Sequence, residues 1–260
     1  MRPYRNNINL NRKNMPLKYD LDKIRFATDA ATFEKAVDLC EKGKVTRFER
    51  GPYGCSAIVL GTHPYKVYVE NQHYDQGGCE CYVAQKNMLC KHMVAVAIYA
   101  VKGGKKLSPE EKMAAGGPKC SGKLGELDNE ELSLVKQTVT SSMKYIKAYE
   151  GPSKVWFAYQ DSLQEGCNRL AKVVSDLPVS RQTASIVVDM LLRLDKKLCQ
   201  GRVDDSEGIV GAFIEDAVGV LEEYVKLDPS CAQAFAALRD RETCFDWEKR
   251  LVGLIESKDA

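Results

Sequence analysis

Apolar residues recur along this chain with two different periods, and the change from one to the other divides it. The positions Ala30, Phe33, Ala36, Val37 and Cys40 fall three or four apart, the spacing of one helical face. Thr28-Asp29 supplies an N-cap and Gly43 a stop, so a short amphipathic helix is expected from Ala30 to Lys42. Three runs rich in β-branched and aromatic residues follow, from Val45 to Arg50, Ser56 to Leu60 and Tyr65 to Glu70. Gly61-Thr62-His63-Pro64 marks a turn between the last two, which predicts a hairpin. Met93 to Tyr99 is apolar without a break and reads as a buried helix, stopped by Gly103-Gly104.

Beyond Asp128 the helical period takes over. Asp128-Asn129-Glu130-Glu131 has the form of a capping box, and the helix it opens is expected to reach about Tyr149, before Gly151-Pro152. Ser153 caps a second, from Lys154 to about Ser175, whose stripe is Val155, Trp156, Tyr159, Leu163, Cys167, Leu170 and Val174. A third is expected from Arg181 to Leu198, a fourth from Ser206 to Leu227, and a shorter pair after Asp228-Pro229. Long helices joined by short loops predict an antiparallel bundle or a short helix-hairpin solenoid. Trp156, Phe157 and Tyr159 lie at helical spacing and are expected in its core, not on a base-stacking platform.

The candidate chemistry sits between the strands and the apolar helix. Cys79-Glu80-Cys81, eight intervening residues and Cys90-Lys91-His92 supply three thiols and an imidazole, the full ligand set of a tetrahedral structural zinc. Alternate residues of an extended segment point the same way, so Cys79 and Cys81 can reach one metal from a strand end, with Gly77-Gly78 allowing the turn before them. Residues two apart on a helix do not face each other, which places Cys90 at the cap and His92 in the first turn. A helix N-terminus also favours thiolate at Cys90. Four protein ligands close the site and leave no position for a reactive water.

This pattern, CxC then CxH with strands before it and an apolar helix directly after the histidine, resembles the SWIM-type zinc finger over roughly residues 20 to 105. The resemblance implies a small module stabilised by one structural zinc, with Cys79, Cys81, Cys90 and His92 as ligands. It also implies a partner that is nucleic acid or protein, since such modules occur in chromatin-remodelling ATPases, transposases and recombination factors. A separate ATPase or a recombination or remodelling factor is therefore among the partners expected.

The resulting class is α+β: a small zinc-stabilised α-β-β-β-zinc-α module followed by an all-α domain. Residues 1–19 read as a flexible basic arm, 20–106 as the zinc finger domain, 107–127 as a glycine- and lysine-rich linker and 128–260 as the helical domain. Charge follows this division. Residues 1–106 hold 18 Lys and Arg against 10 Asp and Glu, whereas 107–260 hold 20 against 26. A basic half with a zinc motif suits contact with phosphates, while the acidic half would not itself be drawn to nucleic acid; the helical half is expected to dock a protein. Candidate nucleic-acid contacts are Arg47, Arg50, Lys66, Tyr68, Tyr82, Lys86 and Lys91, which interleave positive charge with rings.

No stretch of the 260 residues is apolar enough for a membrane helix, and the polar N-terminus is unlike a secretory signal, so a cytoplasmic, non-membrane protein is expected. The cysteines outside the cluster are scattered and expected unpaired, in a reducing compartment. His63 and His73 have no ligand-spaced cysteine and are expected at the surface. Asp204-Asp205-Ser206-Glu207-Gly208 fails as a calcium loop, because the first and twelfth ligand positions fall on Val203 and Ile214. No phosphate loop or activated serine pattern is present, and no small-molecule substrate is expected. The reading is a non-enzymatic interaction protein; the alternative is a thiol oxidoreductase using Cys79 and Cys81, or a zinc hydrolase.

Overall fold

The computed structural model describes residues 15–152 and 156–259. Residues 1–14 of the expected arm, and the expected cap and start of the second long helix at Ser153 to Val155, lie outside them. The chain combines helices with one antiparallel sheet, the α+β class, and divides into two compact units. One holds the residues up to Arg25 with Asp29–Ala114; the other holds Phe26–Thr28 and the chain from Ala115 onward.

Helix α1 (Leu21–Ala27), which begins in the first unit, leads into α2 (Ala30–Glu41), whose N-cap Asp29 accepts from the Thr32 amide at 2.9 Å. The sheet follows as β1 (Val45–Arg50), β2 (Gly54–Leu60), β3 (Pro64–Glu70) and β4 (Gly77–Cys79), in that spatial order. The hairpin register runs from Gly54 opposite Glu70 to Leu60 opposite Pro64. A bulge between Thr46 and Glu49 holds Arg47 at φ 49°. Strand alternation sends Cys55, Ala57, Val59, Val67 and Val69 to the buried face and Ser56, Lys66 and Tyr68 to the other.

The last helix of this unit, α3 (Lys91–Lys102), packs on both the sheet and α2, which is why Met93 to Ile98 are buried on all sides. Phe33, Ala36 and Val37 of α2 meet it, and the Cys40 thiol donates to the Ala95 carbonyl at 3.3 Å, with burial pushing its pKa up to about 12. The described end of the expected arm is tied to the sheet: the Lys18 amide donates to the Asn71 carbonyl at 2.8 Å, and Tyr19 packs edge-on to Tyr74.

The second unit contains α4 (Asn129–Ser142), α5 (Trp156–Asp176), α6 (Arg181–Cys199), α7 (Ile209–Leu227), a 3-10 run Pro229–Leu238 and α8 (Glu248–Asp259). Its core carries the expected α5 stripe from Tyr159 to Val174, joined by Leu191, Leu194, Leu221, Tyr224, Phe235 and Trp247. The capping box at Asp128 is present. Helix α4 ends at Ser142 and not near Tyr149: the chain there tightens, with the Lys144, Tyr145 and Ile146 amides donating three residues back to Ser141, Ser142 and Met143, and side chains from other helices take the carbonyls just beyond. Ser162 donates to Tyr145, Lys197 to Ile146 and Tyr159 to Lys147, at 2.7 to 2.9 Å.

Helix α7 begins at Ile209, three residues later than expected. Gly208, at φ 70°, turns the chain there, and Asp205 accepts from the Val210 and Gly211 amides. Residues 107–127, expected as a linker, are held to their units. Leu107 is buried in the first, while in the second Ser121 donates to Leu177, and the Leu127 amide donates to Gln182. One expectation is overturned: Cys199, at the end of α6, is bonded to Cys244, so these two cysteines are not isolated thiols. No described helix is long and apolar enough to cross a membrane.

Candidate metal centre

Cys79 closes β4, directly opposite Val67 on β3. Of the two glycines before it, only Gly77 is required. Its φ is +144°, and a Cβ there would lie 2.1 Å from the Tyr68 carbonyl oxygen, whereas nothing lies within 4 Å of a Cβ on Gly78. After Cys81 the chain turns through a 3-10 helix at Ala84–Lys86 and reverses at Asn87, φ 58°, before reaching Cys90. Cys90 is the N-cap of α3 in extended conformation, and His92 sits in the first turn.

These four side chains, Cys79, Cys81, Cys90 and His92, bring one ligand atom each to within 4.8 Å of one another. Cys79 Sγ is 3.7 Å and Cys90 Sγ 4.0 Å from His92 Nδ1. A tetrahedral zinc with Zn–S near 2.3 Å and Zn–N near 2.0 Å separates its ligand atoms by about 3.5–3.8 Å. The separations are near or somewhat above that spacing, so the set could hold a metal ion. Cys81, Cys90 and His92 are buried, and Cys79 is half-buried.

Protonation points the same way. Cys79 donates to the Cys90 sulfur, and with the His92 ring and the Met93 amide also facing it, the Cys90 thiol is drawn below its ordinary value against burial. The same hydrogen bond, reinforced by burial, holds Cys79 well above its ordinary value. A cation bound there would take the place of the thiol protons now turned toward the Cys90 sulfur. With Nδ1 turned to the sulfurs, His92 Nε2 is buried without a hydrogen-bond partner among the described residues. The ring is held instead by Tyr65, centroids 4.6 Å apart and 30° from parallel, and by Gly61, where a Cβ would lie 3.2 Å from Nε2. Neither residue is recognisable from sequence, since nothing in the hairpin pattern says which strand position meets the helix start.

The candidate nucleic-acid contacts are spread, not gathered. Lys66 and Tyr68 project from the open face of β3, with the Tyr68 ring across Gly54 and 40% exposed. Tyr82 is 71% exposed on the loop between Cys81 and Cys90, with the Lys86 ammonium 4.4 Å from its ring centre. Lys91 is the half-buried first residue of α3. Arg47 and Arg50 lie on β1, at the opposite edge of the sheet from β4, and Arg50 donates to the Met15 carbonyl at 3.4 Å. His63 and His73 are exposed.

A second close group, Asp195, Cys199 and Cys244, is accounted for internally. Its sulfurs are bonded, and Asp195 Oδ1 accepts from the Cys244 amide at 2.7 Å and from Trp247 Nε1 at 3.1 Å. Comparison with known proteins brought no match: no family model, no curated protein and no solved structure is similar to this chain.

Proposed function

We propose that this chain is a zinc-binding, non-enzymatic interaction protein whose first unit is a SWIM-type finger that binds nucleic acid. The second unit, on this reading, docks a protein partner. The observation that carries the proposal is the closed set of three thiols and one imidazole within 4.8 Å, mostly buried and joined to the folded sheet and helix. Zinc there would be held by Cys79, Cys81, Cys90 and His92 and would act as a structural ion, because four protein ligands leave no position for substrate. This argues for a scaffold and against hydrolysis.

Support for nucleic acid comes from what the metal loop displays. Tyr82, Val83 and Met88 are exposed there, and Lys86 lies over Tyr82; Lys66 and Tyr68 stand on the neighbouring strand. Exposed rings beside lysines suit stacked bases with phosphates alongside.

The test joins elemental analysis of protein purified without added metal to anisotropy titrations of labelled single- and double-stranded DNA over a range of salt. The expected result is one zinc per chain and an affinity that falls steeply with salt. Tyr82→Ala should lose about 1–3 kcal/mol of single-strand binding, and Lys66→Glu with Lys86→Glu should flatten the salt slope. Absence of zinc would sink the metal assignment. One zinc with no salt-dependent DNA binding would leave a protein-docking finger and remove the nucleic-acid reading.

A further inference from the structure

Helices α4 and α6 bound a cavity of about 480 Å³ on the second unit. Its floor is apolar, made of Val139 from α4 with Ile186 and Met190 from α6, all buried. Its rim is basic. Lys136, Arg193, Lys196 and Arg241 all line it and are all exposed, against the single carboxylate of Asp189. On α6 the residues Asp189, Arg193 and Lys196 follow at intervals of four and three, so they form one stripe beside the floor. A shallower hollow continues along α4 past Lys136 to Lys144, lined by Ser133, Gln137 and Ser141.

None of these four rim cations is engaged by a carboxylate among the described residues. Two are nonetheless held in place: Arg193 donates to Thr140 Oγ1 at 3.3 Å and Arg241 to the Ala237 carbonyl at 2.8 Å. This concentration of positive charge stands on a half of the chain with 26 acidic against 20 basic residues. Elsewhere on that half, Arg169, Lys172, Lys249 and Arg250 are paired with acids.

We infer that the α4–α6 groove receives an acidic amphipathic helix from a partner protein. The inference rests on the reading of the second unit as a protein-docking domain. Its apolar positions lie on Val139, Ile186 and Met190, and its flanking carboxylates meet Lys136, Arg193, Lys196 and Arg241. Ile186 to Lys196 spans about 15 Å of helix, room for roughly three turns of ligand. The apolar floor offers nothing to a phosphate backbone, and the acidic surroundings repel a long polyanion while leaving a short segment free to enter.

The test is anisotropy with a fluorescein-labelled Leu/Glu peptide of roughly 16 residues, about 24 Å as a helix, with leucines at helical spacing. It is titrated with the full chain beside a scrambled peptide of the same composition and an oligothymidylate of similar length. Arg193→Glu with Lys196→Glu should weaken peptide binding about tenfold or more, Lys136→Glu alone should weaken it severalfold, and Arg193→Lys with Lys196→Arg should hold it within about threefold. Melting followed by tryptophan emission establishes that each variant is folded, and Lys136→Glu, on a different helix, keeps the test decisive if the α6 pair unfolds. DNA binding by the first unit should be unchanged in all three, which separates this groove from the finger. No binding of the ordered peptide, equal binding of the scrambled one, binding indifferent to the charge reversals, or oligothymidylate lost in their place would each overturn the inference.

Discussion

On the zinc reading, stripping the metal is the sharpest perturbation, because little else holds the loop between Cys81 and Cys90. Between Glu80 and Cys90 the only buried residues are Cys81 and Cys90 themselves, while Tyr82, Val83 and Met88 face outward. Apart from the partly buried Ala84 and Leu89 the loop contributes little apolar burial, so on the zinc reading its order depends largely on the four ligands. The rest of the first unit keeps its core of Phe33, Val59, Val69, Val94 and Ile98 without zinc. The expected loss is therefore that of a bound ligand and not of the whole core. At free zinc a thousandfold above Kd the ion stabilises by about 4 kcal/mol, which for a domain of this size moves the midpoint by roughly 15–30 °C.

Both tryptophans, Trp156 and Trp247, lie in the second unit, so their emission reports that unit while far-ultraviolet circular dichroism reports both. Chelation should lower a dichroism transition that tryptophan emission does not follow, and re-added zinc should restore it. Cys90→Ala should show the low transition without rescue. If the stripped chain melts where the zinc-loaded chain does, the loop is held by something other than a metal, and the reasoning fails.

Three further outcomes are expected. Gly77→Ala should cost about 2–4 kcal/mol through strained backbone and collision and weaken zinc uptake by displacing Cys79, while Gly78→Ala should change stability by less than about 0.5 kcal/mol; equal effects in denaturant titration would contradict the turn geometry. Cys231 is held by burial up to about 11 from an ordinary value of 9.0, so its contribution is intact below pH 9 and lost as pH rises through 11. Because Cys167, Tyr159 and Tyr224 are raised too, the share of Cys231 is read as the difference between tryptophan-monitored unfolding of the parent and of Cys231→Ala, up to about 2–3 kcal/mol over that window; identical profiles would refute the assignment. With Cys199 bonded to Cys244, eight free thiols should be counted in non-reducing denaturant. Reduction should destabilise the second unit by up to about 4 kcal/mol for a 45-residue separation, and a count of ten would dismiss the bond.

Sequence by itself determined the parts whose causes are local. The spacing at Cys79, Cys81, Cys90 and His92 picked out the four side chains that the structure clusters, and the Cys90 cap, the Asp128 capping box and the β2–β3 hairpin follow from neighbours within a few residues. Tertiary structure decided whatever depends on a remote partner. Just past the end of α4, the carbonyls of Tyr145, Ile146 and Lys147 are taken by Ser162, Lys197 and Tyr159 from other helices, where periodicity predicts the helix running on. Residues 107–127 are held in place because Leu177 and Gln182 supply partners that composition does not reveal. Tyr65 supports His92, and Lys136 shares a rim with Arg193, only because a sheet meets a helix and two helices lie side by side. Periodicity fixes which face of an element is apolar; which other face it meets is set by the chain's path through space.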